Sequence, residues 1–590
     1  EMQTRLAVLL GGGRPLPLVT TIHGFCLKLL REDPADDIGI VGDEEQLALM
    51  ADAAATAAQD GTRSAELRAW VMRAKQNLLA PDAMSLSDGP GGFKAAYRAY
   101  QQLLRMQRLM DYEDLIFNVV TRMEADADYA RRCREKFVHV MVDEYQDLNF
   151  GQYRLIRNLA PTGWTGGHLC VIGDPDQSIY GFRGSDRGFF DRFTTDYPDA
   201  RLLRLTRNYR STETILAASH AVIARDGLPR ERIYSGIDGT RTVGVIELRD
   251  EHAEAEAIAH RIEALVGGTG YHSLDTGRAD RPHADQALSY ADFAVLTRTH
   301  DQIRVLGEHF SALGIPFQSV ARERVYRQAG VAAALSVVRV VAGRGVHADF
   351  VRLVEVLAPA LGKKAAATFR QWCLAGRMSL ADGLARASRF PVPGLGRERQ
   401  LSLIDLARRV ETLRSETAEI STRDVMERIV AEPGVSALLE GEEAQEAMAR
   451  LFALADAPGL DRDRRAFLDQ AAMQRDTDLY HPHAERVALI SMHAAKGLEF
   501  PVVFVAGCEE GLIPSRAAED REEERRLLYV AMTRARQRLF LTWARRRRLF
   551  GKTEEREMSP FVRDIEGRWL ENESAAKTRT RRGPDQMTLF

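Results

Sequence analysis

Two textures alternate along this 590-residue chain. Short unbroken apolar runs end in polar loops, and between them lie long stretches where Ala, Leu, Arg and Glu recur at helical spacing. The run Phe137–Val142 delivers Asp143-Glu144, and the run Leu169–Ile172 delivers Gly173-Asp174-Pro175-Asp176-Gln177. Runs of this kind predict buried strands of a parallel α/β sheet, in which ligands sit outside the carboxyl ends of the strands. The two polar loops are therefore expected to face one ligand. Arg201–Leu205 predicts another strand, and from Thr206 a new α/β unit starts, with strands at Val243–Leu248, Phe293–Leu296, Val487–Ile490, Val502–Val505 and Leu539–Trp543. Leu18–Cys26 reads as a short strand and turn. From Arg31 to about Met110, and again from Val337 to Leu479, the pattern is helical and carries no chemical motif.

Composition narrows the class. Lys plus Arg (81) nearly balance Asp plus Glu (84), so any nucleic-acid contact has to come from local basic patches rather than a global field. The five cysteines are scattered and never form C-x-x-C, which argues against a disulfide frame, a zinc site or an iron–sulfur site. No apolar run approaches the ~18 residues of a membrane-crossing helix, and no signal-like segment opens the chain. The cytoplasm is the default location. The chain opens at Glu1 in the middle of an amphipathic pattern, so it is expected to begin inside a domain.

Asp143-Glu144 at a strand end has the chemistry of a Walker B pair: an aspartate to hold Mg²⁺ through water, and a glutamate to position and deprotonate an attacking water. Phosphoryl transfer also needs positive charge where γ-phosphate charge develops, and the planar fork of arginine suits it. Arg210 and Arg534, each in a polar segment joined to a strand of the second α/β unit, are the candidates. An acidic pair or a single arginine is more often only solvated or salt-bridged.

Taken together the segments are more specific. Val142-Asp143-Glu144-Tyr145-Gln146-Asp147, Gly173 to Gly184, Asn208-Tyr209-Arg210-Ser211, His493-Ala494-Ala495-Lys496-Gly497-Leu498-Glu499-Phe500 and Tyr529 to Ala535 occur in the order and rough spacing of one family. The chain resembles the UvrD/Rep/PcrA helicases of superfamily 1 from Glu1 to about Ile565, and Thr21 to Cys26 resembles that family's motif Ib. The resemblance implies an α/β fold of two RecA-like parallel-sheet motor domains, each with a helical insertion. The first motor would comprise 1–30 and 111–204, interrupted by the insertion 31–110. The second would comprise 205–336 and 485–566, interrupted by the insertion 337–484, with a flexible basic tail over 567–590. By the same resemblance Asp143 holds Mg²⁺, Glu144 directs water, Gln177 senses the γ-phosphate of ATP, Arg210 and Arg534 are arginine fingers, and Glu499 contacts the nucleotide sugar. Thr21, His23, Tyr180, Phe182, Arg183 and His493 would meet DNA, single-stranded at Tyr180 to Arg183. Aromatic faces stack on any base, which suits a motor that must not read sequence.

Two departures stand out. Phe182 occupies a position where the family usually has tryptophan, so altered affinity or step coupling is expected rather than loss of binding. No P-loop, G-x-x-x-x-G-K-[ST], is present. Gly551-Lys552-Thr553 has Arg546 where the first glycine belongs and is a decoy. The resemblance implies that the intact parent is an ATP-driven helicase, of 3′ to 5′ polarity and with a role in repair or replication. The chain as it stands is expected to be a truncated fragment that neither binds ATP tightly nor unwinds DNA. The motor part of a helicase–nuclease is a rival, though no nuclease-like domain follows the motor. A degenerate DNA- or clamp-binding protein is another, but it would have no need of γ-phosphate chemistry. Finally, Gln586, Leu589 and Phe590 resemble the bacterial sliding-clamp pentapeptide Q-x-x-L-F on a flexible tail. Deleting Gln586 to Phe590 is expected to abolish capture by the clamp; unchanged capture would remove the idea.

Overall fold

A computed structural model describes residues 2–11, 16–32, 38–57, 64–84, 92–227, 230–231, 233–237, 239, 241–267, 288–319, 328–473, 480–482, 484–549 and 551–573. The chain divides into two compact units. The first comprises Glu1–Ile172, Arg183–Tyr197 and Arg322–Gln474; the second comprises Gly173–Phe182, Pro198–Ala321 and Arg475–Phe590.

In the second unit seven strands form one sheet, all paired in parallel. Its order is Leu570–Glu573, Val243–Leu248, Ala535–Ala544, Phe500–Val505, Phe293–Thr297, Val487–Ser491 and Phe317–Ser319. The central strands are apolar on both faces because helices cover both. One core layer joins Ile215, Val222, Leu528 and Met532 to the sheet, and another joins Ile258, Ile262, Leu306 and Phe310 to it. The apolar runs predicted from Val243 onward are all strands here. Two edge strands carry too little apolar signal to be anticipated: Phe317–Ser319, and Leu570–Glu573, which pairs with Val243–Leu248 inside the segment expected to be tail. The tail expectation is thus corrected for 567–573; its remainder, with Gln586, Leu589 and Phe590, lies outside the described residues.

The first unit contains a parallel pair, His139–Val142 and His168–Val171. Both strands were expected to be buried, but only Val142 is, and the positions alternating with exposed ones are otherwise half-buried. Val140, Val142, Leu169 and Val171 face Tyr145, Ile156 and Phe189, whereas Met141 is 79% and Ile172 55% exposed. The described residues of this unit add no further strand to the pair, so its second face has no cover there. In the second unit Arg201–Leu205, expected as a strand, is irregular, with Leu202, Leu203 and Leu205 exposed. Leu18–Cys26 is also corrected: Thr21 caps a helix over Ile22–Leu30, its hydroxyl accepting the Gly24 amide at 3.1 Å.

The helical stretches of the first unit pack on one another. Helices Asp43–Thr56, Ser64–Gln76 and Phe93–Met106 share one core with Val346. Polar contacts follow the same junction: Arg339 pairs with Glu45 at 2.7 Å, and the Ile40 amide donates to Asp469 at 2.8 Å. Among the described residues no helix is long and apolar enough to cross a membrane.

Candidate nucleotide and nucleic-acid site

Asp143 and Glu144 follow directly from the His139–Val142 strand and are exposed. Glu144 adopts φ 53°, ψ 41°, a left-handed conformation that costs a side-chain-bearing residue on the order of 1 kcal/mol. Its surroundings hold it there. The Tyr145 amide donates to the Ile172 carbonyl at 3.0 Å, Tyr145 is fully buried, and a 3₁₀ turn follows over Tyr145–Asp147. Asp143 accepts the Glu144 amide at 2.9 Å, and Gln146 donates to the Glu144 carboxylate. No group of three or more metal-ligating side chains exists among the described residues. A single exposed carboxylate suits Mg²⁺, which keeps most of its waters and takes the rest of its shell from phosphates.

Thr21, His23 and Arg183 also belong to the first unit. The Thr21 hydroxyl is engaged in its helix cap. His23 is buried and stacked on Tyr112 with ring centroids 3.6 Å apart, so its ring serves the core as placed. Arg183 is exposed at the end of a 3₁₀ turn, Gly181–Arg183.

The second unit gathers the remaining candidates around Gly173–Phe182. Asp174 caps a 3₁₀ turn over Pro175–Gln177, accepting the Asp176 amide at 3.0 Å and the Gln177 side-chain amide at 2.7 Å. Burial raises the Asp174 carboxyl above its ordinary range against the Gln177 hydrogen bond. Arg534 approaches the Gln177 amide oxygen at 3.4 Å. Its guanidinium is otherwise committed to the carbonyls of Val530 at 2.9 Å and Leu498 at 3.3 Å, and it is 1% exposed. Lys496 donates to the Gln177 carbonyl at 2.7 Å, and Arg230 grips Asp176 with two bonds of 2.6 and 2.7 Å. Sequence reasoning had singled out neither Lys496 nor Arg230, because an isolated basic residue in a loop carries no pattern.

Arg210 sits on a turn built by Asn208, whose side-chain oxygen accepts the amides of Arg210 and Ser211 at 2.8 and 2.9 Å. Ser211 donates to the Ala535 carbonyl at 2.6 Å, which brings this turn beside the end of the Arg534 helix across more than 300 residues of sequence. Arg210 pairs with Glu499 at 2.8 Å, and Arg536 reaches the same carboxylate at 3.0 Å. Burial pushes the Glu499 carboxyl up, but the hydrogen bonds and charges of the two arginines outweigh it and hold it below the usual range. The Arg210 Nε is buried and has no hydrogen-bond partner among the described residues, an unsatisfied cationic donor suited to an oxyanion. One residue away, Tyr209 is 71% exposed beneath the Arg207 guanidinium, an aromatic face that sequence reasoning passed over.

At the other end of the segment three rings meet. The Tyr180 hydroxyl donates to the His493 carbonyl at 3.1 Å, and the Lys496 ammonium lies 5.4 Å from the Tyr180 ring centroid. Phe182 stands edge-on to His493 at 5.3 Å and 6.3 Å from Tyr180. Tyr180 is partly buried and packed, whereas Phe182 is 60% exposed, so Phe182 presents the more accessible ring. Gly551 turns an antiparallel hairpin, Arg546–Leu549 with Lys552–Glu555, which bears out the reading of Gly551-Lys552-Thr553 as a decoy.

Two family models match the chain. Residues 1–198 match the UvrD/REP helicase N-terminal domain, and residues 203–389 and 407–546 match the UvrD-like helicase C-terminal domain. The ATP-dependent DNA helicase PcrA of Staphylococcus aureus (strain MRSA252) is 30% identical over 613 residues, covering 98% of this chain and 80% of the relative. That of Staphylococcus epidermidis (strain ATCC 12228 / FDA PCI 1200) is 29% identical over 610 residues with the same coverage.

Proposed function

This chain belongs to the UvrD/Rep family of superfamily 1 helicases, with the RecA-like α/β fold of that family, and on that premise we propose that it supplies the phosphate-sensing and single-stranded-DNA surfaces of an ATP-driven 3′ to 5′ DNA translocase. Residues 1–30 and 111–204 form the first motor domain, and 205–336 and 485–573 the second. Residues 31–110 and 337–484 are their helical insertions. One observation carries the reading: Gln177, beside Arg534 and Lys496, and the exposed Phe182 lie on one short segment. A change at the phosphate end therefore has a short covalent route to the DNA end.

Asp143 would hold Mg²⁺ and Glu144 the attacking water. Mg²⁺ supplies charge neutralisation between the phosphates when bound. Gln177 reads the γ-phosphate, while Arg210 and Arg534 stabilise its developing charge. Glu499, held ionised by two arginines, is ready to accept from a ribose hydroxyl. Thr21, Arg183 and His493 contact DNA in this reading, whereas the His23 ring stays in the core, and Gln586, Leu589 and Phe590 reach the sliding clamp.

Phe182 gives the direct test. Phe182→Ala is expected to weaken binding of the full chain to oligothymidylate by about 1–3 kcal/mol, the contribution of one stacked base, and Phe182→Trp to strengthen it. Fluorescence anisotropy measures both, and an unchanged affinity for the alanine variant removes the stacking role. A second expectation follows from the missing P-loop lysine: phosphate release from ATP by this 590-residue chain stays at background with or without single-stranded DNA. Measurable turnover overturns it.

A further inference from the structure

We infer that Glu523 is a positioning residue, whose carboxylate, seated on the backbone amides of Gly181 and Phe182, presets the Phe182 ring for stacking on single-stranded DNA. The inference deepens the reading of Phe182 as a base-stacking face and rests on it.

Glu523 lies in the first turn of the helix Arg521–Met532, the helix that leads into Arg534. Three acids share that turn, and their partners differ. Glu524 binds Arg298 at 2.7 Å, and Glu522 lies 3.3 Å from Arg525. Asp520 caps the helix, its side chain accepting the Glu522 amide at 2.8 Å. Glu523 instead turns outward to the Gly173–Phe182 segment, where the amides of Gly181 and Phe182 donate to it. The approach is so close that a Cβ on Gly181 would sit 2.2 Å from the Glu523 Oε2. Glycine at 181 is thus matched to this carboxylate rather than to a backbone conformation.

The same helix holds the start of the segment. Arg526, one turn on from Glu523, donates to the Ser178 carbonyl at 2.7 Å. Between the two clamps Ile179 is fully buried and Tyr180 is tied to His493. Every residue from Ser178 to Phe182 is therefore anchored through its backbone or its side chain, and the exposed part is the Phe182 ring. An ordered backbone removes the entropy that a mobile loop would lose when its ring stacks on a base. Arg534 closes the far end of the same helix against Gln177, so one rigid element touches the phosphate sensor and the base-stacking residue.

The test is a mutant cycle on the full chain with fluorescein-labelled oligothymidylate. Glu523→Ala and Gly181→Ala each remove the seat, one by deleting the carboxylate and the other by displacing it. Each is expected to weaken binding about three- to tenfold, and the double variant no more than either alone. Glu523→Gln, which keeps one acceptor oxygen, is expected to recover part of the loss. A spectroscopic signature separates positioning from general destabilisation. With Phe182→Trp as background, Glu523→Ala is expected to change the acrylamide quenching of Trp fluorescence by an amount absent when residue 182 is phenylalanine. Additive losses in the cycle, or unchanged quenching together with unchanged affinity, overturn the inference. Should Phe182→Ala leave affinity unchanged, the stacking reading fails instead; weakening by Phe182→Ala with none by Glu523→Ala sinks the positioning role alone.

Discussion

Arg547→Met is expected to destabilise the second unit by about 3–5 kcal/mol, because it strands two buried carboxylates. Arg547 lies between Glu254 at 2.6 Å and Glu509 at 2.5 Å, and all three side chains are almost fully buried. The carboxylates have other donors, but those are neutral: the Thr542 hydroxyl and Gly507 amide for Glu254, and the Ala544 amide for Glu509. Burial raises the Glu509 carboxyl, and only Arg547 supplies a full opposing charge among the causes of its shift. The network joins the helix Glu251–Val266 to the far end of the Ala535–Ala544 strand, whose first residue follows Arg534. Losing it should loosen the strand that fixes Arg534. Hydrogen exchange of the 535–544 amides reads this locally, which a whole-chain melt does not. The deficit is expected to shrink as pH falls, since a protonated Glu509 carboxyl needs no counter-charge, and to shrink again in the Glu254→Gln, Glu509→Gln background. Full protection of those amides in Arg547→Met would overturn this account.

The same contrast between buried and half-covered elements explains what could be read from sequence. Val243–Leu248, Phe293–Thr297 and Phe500–Val505 were legible because a strand covered on both faces must be apolar at successive positions. His139–Val142 and His168–Val171 were located correctly but assigned too much burial, since an apolar run does not say how many neighbours a strand has. Leu570–Glu573 was missed because an edge strand gains its place from backbone pairing, and Glu571, Asn572 and Glu573 carry no apolar signal. Thr21 illustrates a different limit. A β-branched, hydroxyl-rich stretch fits a strand and a helix cap equally well until the Gly24 amide finds the hydroxyl. In the site, Asp143, Gln177, Arg210 and Arg534 were legible as ordered motifs. Glu523, Arg526 and Arg230 were not, because their partners are a backbone segment and an aspartate hundreds or dozens of residues away.

The second large effect concerns pH. Stability of the first unit is expected to fall between about pH 4.5 and pH 7, opposite to ordinary acid denaturation. The cause is a charge imbalance at the start of the helix Tyr112–Ala125. Lys75, itself buried, reaches Asp111 at 2.6 Å and Asp114 at 2.7 Å, while among the described residues Glu113 accepts only the neutral Gln76 amide at 2.9 Å. One ammonium cannot neutralise three buried carboxylates. For Asp111, burial is outweighed by Lys75, and its carboxyl is held low. Glu113 is pushed up to about 7, chiefly by burial, and Asp114 up to about 6 by burial and then by Asp111. A carboxyl whose pKa is higher folded than unfolded binds protons more tightly when folded. Its contribution is complete below the unfolded value of 4.5 for Glu113 and is lost as pH rises through about 7. At 1.36 kcal/mol per unit the change for Glu113 is at most about 3.4 kcal/mol. Glu113→Gln keeps an oxygen for Gln76 and removes the titration, so it should stabilise the unit at pH 8 and do little at pH 4. Exchange protection of the 112–125 amides, corrected for intrinsic rate and compared between the two proteins across this range, decides the matter. Protection that rises with pH in the unaltered chain, or a Glu113→Gln variant no more protected at pH 8, contradicts the imbalance. Because Tyr112, between Asp111 and Glu113, is the residue on which His23 stacks, the same titration should loosen the seat of His23 before it affects the Tyr145 turn that holds Glu144.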